Sequence, residues 1–215
     1  MTKRSSGAIT GDSCRAPHAA QRVQGRARAG RTLDEAPLEF AEVHFREATP
    51  ADARSLLRLK LALDSETNFM LLETGERAES AEEVAAHLAA VGRTANSVVI
   101  VADTRSMLVG YAEATGGRFR RDRGTAYVVL GVLARAQGRG IGAGLLSEVA
   151  RWASPHDVHR LELTVMAHNE RAVQLYQRAG FTVEGRRRQC LLVDGCMVDE
   201  LYMARLLTPG GTVGR

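Results

Sequence analysis

The chain has 215 residues, 45% hydrophobic and 25% charged, the balance of a folded protein with a core rather than of a disordered or membrane-embedded one. No run of eighteen apolar residues occurs, and the N-terminus has no apolar stretch of signal-peptide length, which predicts a cytoplasmic protein with no membrane partner. The net charge of +4 is local: residues 1–33 hold seven basic side chains against Asp12 alone, leaving 22 basic and 24 acidic side chains over the other 182, so no global nucleic-acid signature remains outside the tail.

Residues 1–38 have no Tyr or Trp, nor any Phe, and are rich in Ser, Gly, Ala and Arg; they are expected to be a disordered basic tail. Residues 39–207 then form a single domain, and 208–215 a flexible end. Cys14, Cys190 and Cys196 are odd in number, and their spacing suits neither a disulfide framework nor a zinc site. No helix carries two His four apart with Glu between them, so no metal is expected.

In chain order, Glu42–Ala48 reads as a strand. Thr49-Pro50-Ala51-Asp52 opens a helix running to about Asp64, with Thr as N-cap, Pro at N1 and an acid at N3. An unusually apolar loop, Asn68 to Leu72, precedes a second helix that Ser80 and Glu83 cap and Gly92 stops. Ser97–Ala102 and Leu108–Ala114 read as a hairpin, and Thr125–Leu133 as a longer strand in which Gly131 marks a bulge or a close backbone approach. A Gly-rich turn leads into a helix over about Gly140–Ala153, with an apolar stripe of Ile141, Leu145, Val149 and Ala153. Arg160–Val165 is a strand, and Asn169–Ala179 a helix with Asn as cap and Gly180 as terminator. Phe181–Val193 and Met197–Leu206 are strands joined at Asp194-Gly195, a hairpin signal. The order β-α-α-β-β-β-α-β-α-β-β predicts one α/β domain, a mixed sheet with helices on both faces.

The turn Gln137-Gly138-Arg139-Gly140-Ile141-Gly142 leaves a strand and enters a helix, whose first N–H groups are unpaired and carry the positive end of the helix dipole. It is therefore a candidate anion cradle. A phosphate-loop NTPase would need Gly-Lys-Ser/Thr, which is absent. Gly138, Gly140 and Ala143 satisfy the G-x-G-x-x-A spacing of dinucleotide folds, but the next strand ends Leu163-Thr164-Val165 without the acid that those folds use. A ligand-free strand-to-helix turn is the remaining alternative.

Val132 through Gly142, then Leu161-Glu162-Leu163-Thr164-Val165, then Asn169, Ala172, Leu175-Tyr176 and Gly180-Phe181, in that order, resemble the GNAT superfamily of acetyl-CoA-dependent N-acetyltransferases. Gln137, Gly140 and Gly142 match its Gln/Arg-x-x-Gly-x-Gly/Ala motif, and the likeness covers roughly residues 42–206. The resemblance implies a mostly antiparallel mixed sheet with a splayed central strand pair, and acetyl-CoA as cosubstrate. It places the pyrophosphate on Gln137, Gly138, Arg139, Gly140, Ile141 and Gly142, and the pantetheine on the backbone of Leu130 and Val132, with Gly131 at the splay. It makes Asn169 a cofactor contact and Tyr176 both a cofactor contact and the acid that protonates the departing thiolate. Homodimers are common in the family.

An attacking amine must lose a proton, and a carboxylate can take it. Glu113, on the third strand, is the first candidate and Glu162 the second; His168 is expected to be a solvent-facing loop residue. Specificity is expected from the loop around Asn68 to Glu76, opposite the hairpin near Asp194, with Glu66, Glu73 and Glu76 either attracting a cationic amine or forming part of a solvated loop. The expected function is acetyl transfer from acetyl-CoA to a primary amine. The alternatives are a non-catalytic acyl-CoA-binding regulatory module of the same fold, and nucleic-acid binding by the tail.

Overall fold

A computed structural model describes residues 42–207. The tail expected over 1–38 and the flexible end over 208–215 lie outside the described residues. Seven strands form one sheet in the order β1 (His44–Glu47), β2 (Val98–Asp103), β3 (Leu108–Gly116), β4 (Thr125–Val132), β5 (Arg160–Met166), β7 (Cys196–Leu206), β6 (Thr182–Val193). All neighbours are antiparallel except β4 and β5, as the predicted mostly antiparallel mixed sheet requires.

The helices follow the sequence signals closely. Thr49 and Asp52 form the expected capping box, but the first turn, Pro50–Asp52, is a 3-10 turn that feeds α1 (Ala53–Glu66). Arg46 on β1 reaches Asp52 at 2.8 Å and Asp103 on β2 at 2.8 Å, so one guanidinium ties two strands to a helix start. Its hydrogen bond holds the Asp52 carboxyl down at about 2. Ser80 caps α2 (Ala81–Val91) with the predicted Glu83 partner. Gly92 ends α2 with a right-handed backbone, φ −62°, so no left-handed glycine is needed there. Between strands β4 and β5 lies α3 (Ile141–Ala153), whose predicted stripe is buried; α4 (Glu170–Arg178) is capped by the Asn169 side chain, which accepts from the Ala172 N–H at 3.2 Å.

Two glycines show which helix covers which face. A Cβ on Gly131 would sit 2.5 Å from Leu63 of α1, whereas one on Gly110 would sit 3.2 Å from Leu145 of α3. Gly110 pairs with Val132, next to Gly131, and adjacent residues of a strand face opposite ways. Hence α1 packs on one face and α3 on the other, with Leu56, Leu59 and Leu63 buried on the first and Leu145, Leu146 and Val149 on the second.

Gly131 corrects an expectation. The β3–β4 register runs unbroken from Gly110↔Val132 to Gly116↔Ala126, so Gly131 is not a bulge. Close approach is the reason for it: Leu63 fills the space that a side chain would take, with Tyr111 3.0 Å away. Gly131→Ala is expected to cost about 1–3 kcal/mol through overpacking. In urea unfolding, the double variant Gly131→Ala/Leu63→Ala should lose less than the two single losses combined.

Candidate functional site

Strands β4 and β5 pair at only three positions, Thr125↔Arg160, Ala126↔Leu161 and Tyr127↔Glu162, and then diverge. The Leu133 N–H donates to Val109 O on β3 at 3.0 Å, so strand alternation turns the N–H and C=O groups of Leu130 and Val132 the other way, into the split. The Tyr127 hydroxyl bonds Thr164 Oγ1 at 2.8 Å and stitches the two strands just beyond their last pair. The splay therefore starts after Tyr127, four residues earlier than the Gly131 position expected for it.

The split opens toward the Gly-rich turn. Gly138 and Gly140 both have left-handed backbone, φ +79° and +78°, the conformation that makes glycine the economical choice. Gly140 is the N-cap of α3 and offers no side-chain cap, and the space its Cβ would enter is open. The N–H groups of Ile141 and Gly142 lie in that uncapped first turn, while the Ile141 side chain points into the core. Gly142 has another reason to be glycine: a Cβ there would meet Leu175 of α4 at 2.9 Å, so its small size seats α4 against α3. Arg139 lies exposed between Gly138 and Gly140.

Gln137 acts inside the protein. Its amide donates to the Val132 carbonyl at 3.0 Å, and Arg171 donates to its Oε1 at 2.6 Å. This latch uses the Val132 carbonyl, leaving the Val132 N–H and both backbone groups of Leu130 facing the split. Asn169 and Tyr176 lie on α4 as expected. The Tyr176 ring is buried, edge-on to Phe181 with centroids 5.9 Å apart. Burial pushes its phenol well above the ordinary tyrosine value, and no described residue hydrogen-bonds the hydroxyl.

Glu113 lies on β3 opposite Val129. His87 Nε2 of α2 is 2.7 Å from its carboxylate, and Lys60 Nζ of α1 is 3.6 Å away and 5.4 Å above the Tyr111 ring. Burial alone would raise the Glu113 carboxyl, but the His87 hydrogen bond and the Lys60 charge outweigh it and hold the group below its ordinary value. The same bond raises His87. Neither partner was singled out from the sequence, although Lys60 interrupts the apolar stripe Leu56, Leu59, Leu63 at its i+4 position. Glu162 is tied to Arg160 at 3.0 Å, and His168 is exposed against Phe69.

The two walls predicted for specificity do meet. A cleft of about 270 Å³ lies between the α1–α2 loop and the β6–β7 hairpin, with Met166 at the end of β5 among its lining residues. Asn68 Nδ2 donates to Asp194 Oδ2 at 2.7 Å across it. Of the three loop acids, Glu66 accepts from the Ala134 N–H at 2.9 Å and Glu76 from the Glu73 N–H at 2.8 Å, so both build local structure; Glu73 lines the cleft. No described helix is long and apolar enough to cross a membrane.

A three-residue parallel pairing that opens onto an uncapped, glycine-led helix sets unpaired strand groups beside a helix N-terminus, an arrangement suited to a long ligand with an anionic end. The family model described as Acetyltransferase (GNAT) family matches residues 60–181, and the chain belongs to that family. It is 36% identical over 73 residues to the L-amino acid N-acetyltransferase AaaT of Escherichia coli (strain K12). That match covers 34% of this chain and 45% of the relative, so it spans less than half the length of that protein. A GNAT-family acetyltransferase from Streptococcus pneumoniae superposes with a TM-score of 0.75 at 28% identity, over 78% of this chain and 100% of that one. A ribosomal-protein-alanine N-acetyltransferase from Brucella melitensis gives 0.68 at 28%, over 76% and 99%.

The His87–Glu113 pair makes stability depend on pH. A raised His value contributes fully below the ordinary histidine range and is lost as pH rises through the raised value. A lowered Glu value contributes above the ordinary carboxylate range and is lost as pH falls through the lowered value. His87→Gln should therefore cost more stability near about pH 6 than near about pH 9. Because His87 is partly exposed, the loss should be up to about 1 kcal/mol, read from urea midpoints at the two pH values.

Proposed function

We propose that the protein transfers the acetyl group of acetyl-CoA to a primary amine by direct attack, without an acyl-enzyme. The observation that carries this reading is the β4–β5 split: it presents unpaired strand groups at Leu130 and Val132, and it ends at amides that suit a pyrophosphate. When bound, acetyl-CoA supplies an activated thioester carbonyl.

The first-turn amides of α3 hold the diphosphate, with Gly138 and Gly140 giving the turn its shape. The β4 edge aligns the pantetheine as an added strand would be aligned, so the thioester is fixed rather than diffusing. The Val132 N–H faces the split and can polarise the carbonyl as charge develops on its oxygen. Asn169 reaches this reading as the cap that fixes the start of α4. Tyr176 then donates its proton to the leaving sulfur. A phenol raised by burial is in its protonated form at neutral pH, so it can donate as charge develops on the sulfur, and no described residue competes for its hydroxyl. Glu113 serves as general base together with His87, since a carboxylate held low between two cationic groups is a weak acceptor alone and the imidazole titrates nearer neutrality.

Three measurements test this. An acetyl-CoA turnover screen over an amine panel, reading released thiol, should find an acceptor; CoA binding with no thiol released from any amine would indicate a binding module. Tyr176→Phe should lower kcat about 10–100-fold with CoA affinity and unfolding midpoint nearly unchanged. A full-rate variant would remove Tyr176 from the acid role. Gly140→Asp brings an anion and a strained left-handed side chain to the cradle, and should weaken CoA binding at least about 10-fold by calorimetry.

A further inference from the structure

The cleft between the α1–α2 loop and the β6–β7 hairpin has a one-sided charge. Met70, Leu71, Met166, Leu192 and Val193 place apolar side chains within a lining that is otherwise mostly polar, and Leu71 at 75% and Leu192 at 64% exposure form an uncovered rim. Three carboxylates, Asp64, Glu73 and Asp194, also line it, and among the described residues no Lys, Arg or His does. Asp64 is neutralised from behind by Arg77, which holds both its oxygens at 2.6 and 3.0 Å. Asp194 takes only the neutral Asn68 amide, and Glu73 forms no ion pair among the described residues. Several basic groups on the framing elements are committed elsewhere, Lys60 and His87 to Glu113, Arg186 to Asp199 and Arg187 to Glu200, while Arg54, Arg58, Arg188 and the His168 beside Phe69 lie outside the lining.

We infer that the acceptor is an apolar cationic amine with no free carboxylate beside its nitrogen, the chemistry shared by a peptide N-terminus and a small hydrophobic monoamine. This rests on the transferase reading above. A free amino acid would carry its carboxylate into a cleft lined by two unneutralised carboxylates and by no cationic side chain, meeting like charge and losing hydration without compensation. An ammonium gains from the same Glu73 and Asp194, and an apolar side chain gains from the lining. The chain would thereby differ from the L-amino acid N-acetyltransferase that it matches.

The test uses the full chain and three compounds with one side chain: leucine, leucinamide and 3-methylbutylamine. The amide is less basic than leucine and the alkylamine more basic, so a shared preference for both over leucine cannot come from basicity. With thiol release as readout, kcat/KM should exceed that of leucine by at least about 30-fold for both. The larger of the two identifies peptide-like or monoamine acceptors. The double variant Glu73→Gln/Asp194→Asn should narrow the gap about 10-fold, and Asn suits the left-handed backbone at 194, φ +49°. Calorimetry on the same compounds gives a readout independent of turnover. Leucine bound or acetylated as well as leucinamide overturns this inference and leaves the transferase reading intact. Leucinamide bound in preference to leucine, with no thiol released from any amine, supports the cleft's preference and overturns the transferase reading instead.

Discussion

The three-residue pairing of β4 and β5 is the constraint on which the site depends. The parallel pairing ends after three positions, and two helices meet near the opening. Gly142 lets Leu175 of α4 come against the first turn of α3, and Leu130 lies in the same contact. The pair of helices thus stands over the opening on the α3 face. Below the split, Tyr127 joins the strands through Thr164. A gap in a sheet would ordinarily expose costly unpaired backbone groups; here the groups of Leu130 and Val132 are partly answered by the chain itself, and the remainder are what a ligand can use.

The opposite face supplies a different chemistry. Beneath α1 and α2, Glu113, His87 and Lys60 form one charged group around a single carboxylate, with Tyr111 under the lysine. Burying Lys60 against an aromatic ring and a carboxylate compensates its loss of hydration. The two faces differ in character: the uncapped, glycine-led helix start and the open strand edge lie on the α3 and α4 side, whereas the titrating pair lies on the α1 and α2 side.

Much of this was legible in the sequence because it is set by local rules. The element order, the boxes at Thr49–Asp52 and Ser80–Glu83, the Asn169 cap and the Asp194-Gly195 hairpin each depend on residues within a few positions of one another. The Gly-rich turn was legible for the same reason. What escaped were pairings across long separations. Gly131 reads equally as a bulge or a close approach until Leu63, sixty-eight residues earlier, is seen to occupy the space of its missing side chain. Glu66 reads as drawing a cationic amine or as part of a solvated loop until the Ala134 N–H, sixty-eight residues on, is seen to donate to its carboxylate. Glu113 reads as a lone base because nothing near it in the chain announces Lys60 or His87. Gln137 looks like a ligand residue, and only the bend of the turn shows its amide returning to Val132.

That Gln137 amide has a consequence for solubility. An interrupted strand pair leaves β4 with an interior edge resembling the free margin of a sheet, the kind of template on which foreign strands assemble. By covering the last carbonyl of that margin, and by being anchored in turn through Arg171, Gln137 shortens the run of groups open to a stray chain. The outer margin at β6 is guarded differently, by the consecutive arginines 186–188 and an irregular register between Arg187 and Leu191. The protein can therefore keep a permanent opening in its sheet while offering little purchase to another polypeptide.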